Sequence, residues 1–103
     1  MRRIEMRERT PCVYMLASQR MGTLYVGATS APKQRIWQHR NGLLPGFTRE
    51  HRVHLLVWFE LHTTMESAIR REKLIKKWKR DWKIELIEHG NGAWRDLYDD
   101  ICM

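Results

Sequence analysis

The first block of alternating apolar and polar positions runs from Cys12 to Gly27. Cys12-Val13-Tyr14-Met15-Leu16-Ala17 and Thr23-Leu24-Tyr25-Val26-Gly27 are β-rich runs. The polar break Ser18-Gln19-Arg20-Met21-Gly22 between them predicts a β-hairpin. A four-residue turn at Ser18–Met21 pairs Ala17 with Gly22 and sets Tyr14 directly opposite Tyr25, with Cβ atoms about 5 Å apart on one face. A turn of odd length would send the rings to opposite faces. On the hairpin alone, an aromatic pair filling a core accounts for both residues.

After Gly27 the period changes. Ser30 or Ala31 ahead of Pro32 marks a helix start, and Asn41-Gly42 ends the helix near Arg40. Arg35 and His39, one turn apart, share a face of it. A loop follows over residues 41–52, basic at its far end through Arg49, His51 and Arg52. Val53–Glu60 is a nearly continuous apolar run, as expected of a central strand buried on both faces. Thr63 and Glu66 form a capping box that opens a long basic helix reaching about Arg80. Met65, Ala68, Ile69 and Ile75 make its apolar stripe, and Glu72 falls near the middle of that stripe. A carboxylate so placed needs a cation, hydrogen-bond donors or a metal, and an ion pair with Arg35 would satisfy it. Trp82, Ile84, Leu86 and Ile87 lead to Gly90 as a helix or helix extension. Trp94, Leu97, Tyr98 and Ile101 then give a last amphipathic helix. The fold class is α+β: a small three-stranded sheet flanked by helices, in the order β-β-α-β-α-α-α. Residues 1–9 read as a flexible basic arm and residues 10–103 as one domain.

Composition adds a partner. Of a net charge of +7, residues 70–83 alone carry +6, whereas residues 84–103 carry −4. A field concentrated on one segment suits a polyanion, nucleic acid before a membrane surface. Arg49, Arg52, Arg70, Lys73, Lys77 and Arg80 are the candidate nucleic-acid contacts, although a solvated helix face also carries such runs. Trp78 and Trp82 could stack on bases or cap a small core. Two cysteines without metal-ligand spacing, no apolar run of membrane length and no signal-peptide pattern lead to the expectation of a cytoplasmic protein with free thiols. No zinc spacing, serine nucleophile motif or phosphate-cradling glycine loop is found.

Tyr14, Tyr25 eleven positions on, Arg35 ten further, His39 and Glu72 together resemble the GIY-YIG nuclease family, in particular its small stand-alone bacterial members. Cys12-Val13-Tyr14 stands in place of GIY, Tyr25-Val26-Gly27 in place of YIG, and Arg71–Lys77 resembles the segment around the family's metal-binding glutamate. The likeness spans roughly residues 11–98. Three departures stand out: Cys12 for a glycine, Ala28 for a lysine that often follows YIG, and Lys83 near a commonly found asparagine.

The resemblance implies a metal-dependent endonuclease that cleaves DNA, structure-dependent or weakly specific, of the kind used in repair or recombination. Glu72 would hold a single divalent ion, Mg²⁺ or Mn²⁺. Arg35 would bind the phosphate. Tyr14 would take the water's proton, its phenolate favoured by Arg35 or the metal. Tyr25 would position water or phosphate, and His39 would bond Tyr14, contact the leaving oxygen or orient Arg35. Two other readings remain open: a non-catalytic nucleic-acid-binding module, for DNA or RNA, and a subunit that binds a protein partner or forms a homodimer.

Overall fold

Strand β1 (Cys12–Ala17) is closed to solvent along its whole length. The reason is its place in the sheet. β2 (Leu24–Thr29) and β3 (Leu55–Leu61) pair antiparallel to its two sides, giving the order β2-β1-β3. These features are taken from a computed structural model that describes residues 9–102, and the side chain of Cys102 is outside that description. The expected arm over 1–9 therefore lies outside the described residues, apart from Arg9.

The hairpin turn covers Gln19–Gly22, with Ser18 N–H bonded to Thr23 O and Met21 at φ 59°. That is one residue later than the sequence predicts. Ala17 consequently pairs with Leu24, Leu16 with Tyr25 and Tyr14 with Gly27. The pairing slips by two residues, an even number, so Tyr14 and Tyr25 keep a common face as diagonal neighbours.

The expectation that residues 53–60 form the central strand is overturned, because β3 is an edge strand. Its register shifts between Met15 and Leu16, so Val57 is an extra residue in the ladder. The bulge turns both Val57 and Trp58 to one face while Leu56 and Phe59 face the other, which breaks the period-two pattern. The outer edge of β3 is covered by the C-terminal segment. Leu97 N–H donates to Leu56 O, Leu56 N–H donates to Asp96 Oδ1, and Asn91 Nδ2 donates to Val57 O. An edge sealed in this way stays apolar without inviting another strand.

Helices cover both faces. α1 (Pro32–Arg40) lies on the face of Tyr14 and Leu16, with Ile36 buried there beside Ile101 of the last helix. The one-turn helix α2 (Phe47–Glu50) interrupts the loop that follows α1. α3 (Met65–Lys77) and α4 (Arg80–Gly90) cover the opposite face of Val13, Met15 and Val26 through Ala68, Ile75 and Ile87. The α3 cap is Thr64, not Thr63, its hydroxyl accepting from Ser67 N–H at 3.1 Å. Trp78 and Lys79 take extended ψ angles, so the helix expected to reach about Arg80 ends at Lys77, and the stretch to Gly90, expected as a helix or helix extension, is a separate helix. Ile69, expected on the inner stripe, is 39% exposed. The last helix, α5 (Tyr98–Cys102), begins only at Tyr98; Trp94 (φ 57°) and Leu97 precede it. No helix of the described residues is long and apolar enough to cross a membrane.

Asn91 is the clamp of this edge: buried, it donates to Val57 O and Arg95 O and accepts from Arg95 N–H. Replacing it by Ala leaves buried backbone groups without partners, at a cost of about 2–3 kcal/mol. Urea unfolding of Asn91→Ala is expected to show that loss; a change under about 0.5 kcal/mol would mean that the edge is sealed without it.

Candidate active site

Tyr14 points from the central strand towards α1, directly over Gly27 of its neighbour. A Cβ at Gly27 would stand 2.5 Å from the Tyr14 hydroxyl and 2.6 Å from Cζ, so this position of the Tyr25-Val26-Gly27 triplet admits no side chain without displacing the ring. Tyr25 lies beside it, with ring centroids 6.3 Å apart. Pro32, Ile36 and His39 recur along the inner face of α1 and are buried, which delivers the imidazole onto both phenols. His39 lies 5.7 Å from the Tyr14 ring and 5.5 Å from the Tyr25 ring. His39 Nε2 is 3.0 Å from the Tyr14 hydroxyl, and Nδ1 is 3.1 Å from Thr48 Oγ1 in α2. Either neutral tautomer completes both bonds, because phenol and threonine hydroxyls each donate and accept.

Burial sets the protonation of this group. It raises the Tyr14 pKa well above the usual tyrosine range; the Tyr25 phenol adds to the rise, while the nearby Arg35 guanidinium opposes it. Tyr14 is therefore a neutral phenol at neutral pH, and Arg35 does not turn it into the phenolate that the sequence reading invokes. Burial, and secondarily Arg35, lowers the His39 pKa to about 4, so the imidazole is neutral as well. Cys12, buried at the start of β1, has its thiol pushed up to about 12 by burial and is a packing residue without thiolate character.

Arg35 has no carboxylate partner among the described residues. It lines a polar cavity of about 230 Å³ with Arg9, Ser30, Gln34 and Gln38. At the other end of α1, a cavity of about 350 Å³ is bordered by His39, Thr48, Arg49, Arg52 and His54. Two of the expected nucleic-acid contacts, Arg49 and Arg52, thus stand beside the site.

The others lie elsewhere. At about 100° per residue, Arg70, Lys73 and Lys77 project from the side of α3 opposite Ala68 and Ile75, away from the sheet. Arg80 donates through Nη2 to Met21 O and Gly22 O, both at 2.7 Å, and so fastens α4 to the hairpin turn.

Glu72 is not paired with Arg35. Its side chain is 17% exposed, and Oε2 lies 3.1 Å from Lys76 Nζ. Ala68 and Ile75 define the inward line of α3, with Arg71 and Glu72 flanking it on either side. Arg71 reaches Glu60 of β3 at 3.2 Å, so the Glu72 flank is directed away from β3, toward β2. Among the described residues, no group of three or more His, Cys, Asp and Glu side chains could enclose a metal. A lone carboxylate with one oxygen free of Lys76 does fit a hard divalent ion that keeps its waters and takes further ligands from substrate phosphate.

Thr48 was not legible from the sequence as a site residue. The signal available was the length of the connection over residues 41–52, since loops that long are uncommon and often functional. Gly27 is legible in the sequence only as part of its triplet.

One face of the three-stranded antiparallel sheet thus gathers two tyrosines and a histidine beside an arginine that has no carboxylate partner among the described residues. The model of the GIY-YIG catalytic domain matches residues 10–85, which contain all four side chains and Glu72. The chain belongs to the GIY-YIG family. It is 35% identical over 69 residues to a UPF0213 protein of Staphylococcus epidermidis, covering 67% of this chain and 84% of that one. A UPF0213 protein of Clostridium perfringens is 38% identical over 65 residues, covering 63% and 70%. The solution NMR structure of a UPF0213 protein from Bacillus halodurans superposes with a TM-score of 0.54 at 28% identity, over 84% of this chain and 92% of that one.

The depressed His39 pKa has a thermodynamic consequence. Between pH 6.5 and about 4 the unfolded chain binds more protons at this residue than the folded one, so stability falls as pH is lowered through that window. Urea midpoints at pH 6.5, 5 and 4 are expected to fall more in the wild type than in His39→Gln, by the equivalent of on the order of 2–3 kcal/mol. Equal falls in both proteins would contradict a buried neutral imidazole.

Proposed function

We propose that the chain is a divalent-metal-dependent endonuclease that hydrolyses DNA phosphodiester bonds, with structure-dependent or weak sequence preference. The observation that carries this reading is Arg35, a guanidinium held against the Tyr14–His39 pair without a carboxylate partner among the described residues. Its planar donors bind a non-bridging phosphate oxygen and offset the charge that develops during attack. As a water oxygen bonds to phosphorus and the P–O bond to the departing nucleotide oxygen breaks, the water proton passes to the Tyr14 oxygen and the phenol proton passes to His39 Nε2; the departing oxygen takes its proton from solvent. In this step Nδ1–H donates to Thr48, which holds the imidazolium that forms. The phenol needs no prior ionisation. Tyr25, half-buried at the mouth of the site, orients the phosphate or the entering water. Glu72 would hold a divalent ion, which would supply Lewis-acid stabilisation of the charge that develops during phosphoryl transfer. A role in repair or recombination within the cytoplasm is part of the same proposal.

The alternative is a nucleic-acid-binding module without turnover. It is favoured by the closure of Tyr14 to solvent and by Lys76 on the Glu72 carboxylate.

Cleavage of branched, nicked and single-stranded DNA, with RNA controls, in Mg²⁺ or Mn²⁺ distinguishes the two. Tyr14→Phe, Arg35→Lys and Glu72→Ala are each expected to lower the cleavage rate by about 100-fold or more, with binding changed only a few-fold. Metal-dependent cleavage that survives all three substitutions, or that is absent from the wild type, would overturn the nuclease reading.

A further inference from the structure

Behind the sheet, on the side away from Tyr14, the junction of α3 and α4 carries a second feature that the catalytic reading leaves unused. Trp78 caps α3 and Trp82 stands in the first turn of α4, their rings 6.2 Å apart and nearly perpendicular at 78°. Arg71 lies over the Trp78 ring, its Cζ 5.3 Å from the centroid, and Trp78 packs against the core of this face. Trp82 does neither of these things. It is 52% exposed, too open for a residue whose purpose is to close a core. Together with Trp78, Glu85, Leu86 and His89 it borders a cavity of about 400 Å³.

The walls of that cavity describe a ligand. Two indoles at right angles offer an edge and a free π-face, and Leu86 adds an apolar surface. Glu85 supplies an acceptor, and His89 can donate or accept. A flat heterocycle with an exocyclic amino group matches this set: the π-face takes the ring, and the carboxylate accepts from the amino group, as Glu does from cytosine N4. The surroundings select for a polyanion. Lys77, Lys79 and Lys83 flank the two tryptophans in sequence against one aspartate, Asp81, and none of the three has a carboxylate partner among the described residues. A neutral apolar peptide would gain nothing from those three lysines.

We infer that the Trp78–Trp82 cavity is a binding site for an unpaired nucleobase of a single-stranded DNA segment, with Lys77, Lys79 and Lys83 contacting its backbone. The inference rests on the proposal that nucleic acid is the substrate, and it adds which kind. Because the cavity and the tyrosines lie on opposite faces of the sheet, a duplex seated at Tyr14 does not reach Trp82, but an unpaired tail leaving that duplex does. The chain would then prefer tailed or flapped DNA to blunt duplex.

Fluorescence anisotropy in EDTA, where no metal-dependent cleavage occurs, tests the site independently of turnover. The probes are a fluorescein-labelled blunt duplex and the same duplex with a ten-nucleotide oligo(dC) tail. The wild type is expected to bind the tailed probe about 5- to 100-fold more tightly, the range that stacking of one base provides. Trp82→Ala is expected to bring the tailed probe close to the blunt one, while Trp82→Phe keeps most of the difference and blunt-duplex affinity stays unchanged in both. Thermal unfolding of the variants, altered at a half-exposed position, checks that the fold is intact. Equal binding of the two probes by the wild type, or a tail advantage that persists in Trp82→Ala, would overturn this site and leave the nuclease reading standing. Absence of binding to either probe would overturn both.

Discussion

The hydroxyl of Tyr14 and Nε2 of His39 meet in the interior, 3.0 Å apart, and both residues are buried. That contact joins the central strand to α1, and much else follows from it. Tyr14 can reach the imidazole because residue 27, across the ladder, has no side chain to lift the ring. The other imidazole nitrogen needs a partner of its own, and Thr48 brings the loop after α1 in to supply one. An unpaired buried polar atom costs about 1–3 kcal/mol, so these three residues succeed or fail together. The same burial that makes the chain of bonds stable keeps both groups neutral, and this is what lets a proton move along it without a charge waiting at either end.

The sheet divides the chain's chemistry in two. One face gathers the tyrosines, His39 and Arg35 under a short helix; the other is roofed by α3 and α4, with lysines outermost and two tryptophans at the bend. Glu72 belongs to the second layer, on the flank of α3 opposite Arg71. Closure of the far edge falls to the C-terminal segment. Asp96 links several elements there, accepting from Leu56 N–H and Tyr98 N–H and pairing with Arg40 of α1. The acidic charges of residues 84–103 are therefore partly structural: Asp96 holds α1, and Asp100 lies 3.1 Å from Arg95.

What could be read from the sequence follows from how tolerant each signal is. The common face of Tyr14 and Tyr25 survived a misplaced turn because a two-residue slip preserves the pleat's parity. The bounds of α1 were clear because Pro32 and Asn41-Gly42 are local signals that no distant contact overrides. The order of the strands was not. A bulge at Val57 and a covering segment forty residues away made an edge strand look like a central one. Thr48 was hidden for a similar reason, since its partner is nine residues back on another element. Glu72 was correctly placed on the inner half of α3, and of the partners open to it there the structure shows a cation, Lys76, a turn along the same helix. Exposure of Trp82 could not be foreseen from i, i+4 spacing, which serves a core and an open groove equally well.

The dependence of the site on one hydrogen bond can be measured by a double-mutant cycle. Unfolding free energies of Tyr14→Phe, His39→Leu and the double variant give the coupling between the two side chains, free of each residue's separate contribution to packing. A buried pair of this kind requires a coupling of about 1 kcal/mol or more, the double variant losing less than the sum of the single ones. Additivity to within about 0.3 kcal/mol would show that phenol and imidazole do not depend on each other, and the site as described would not stand.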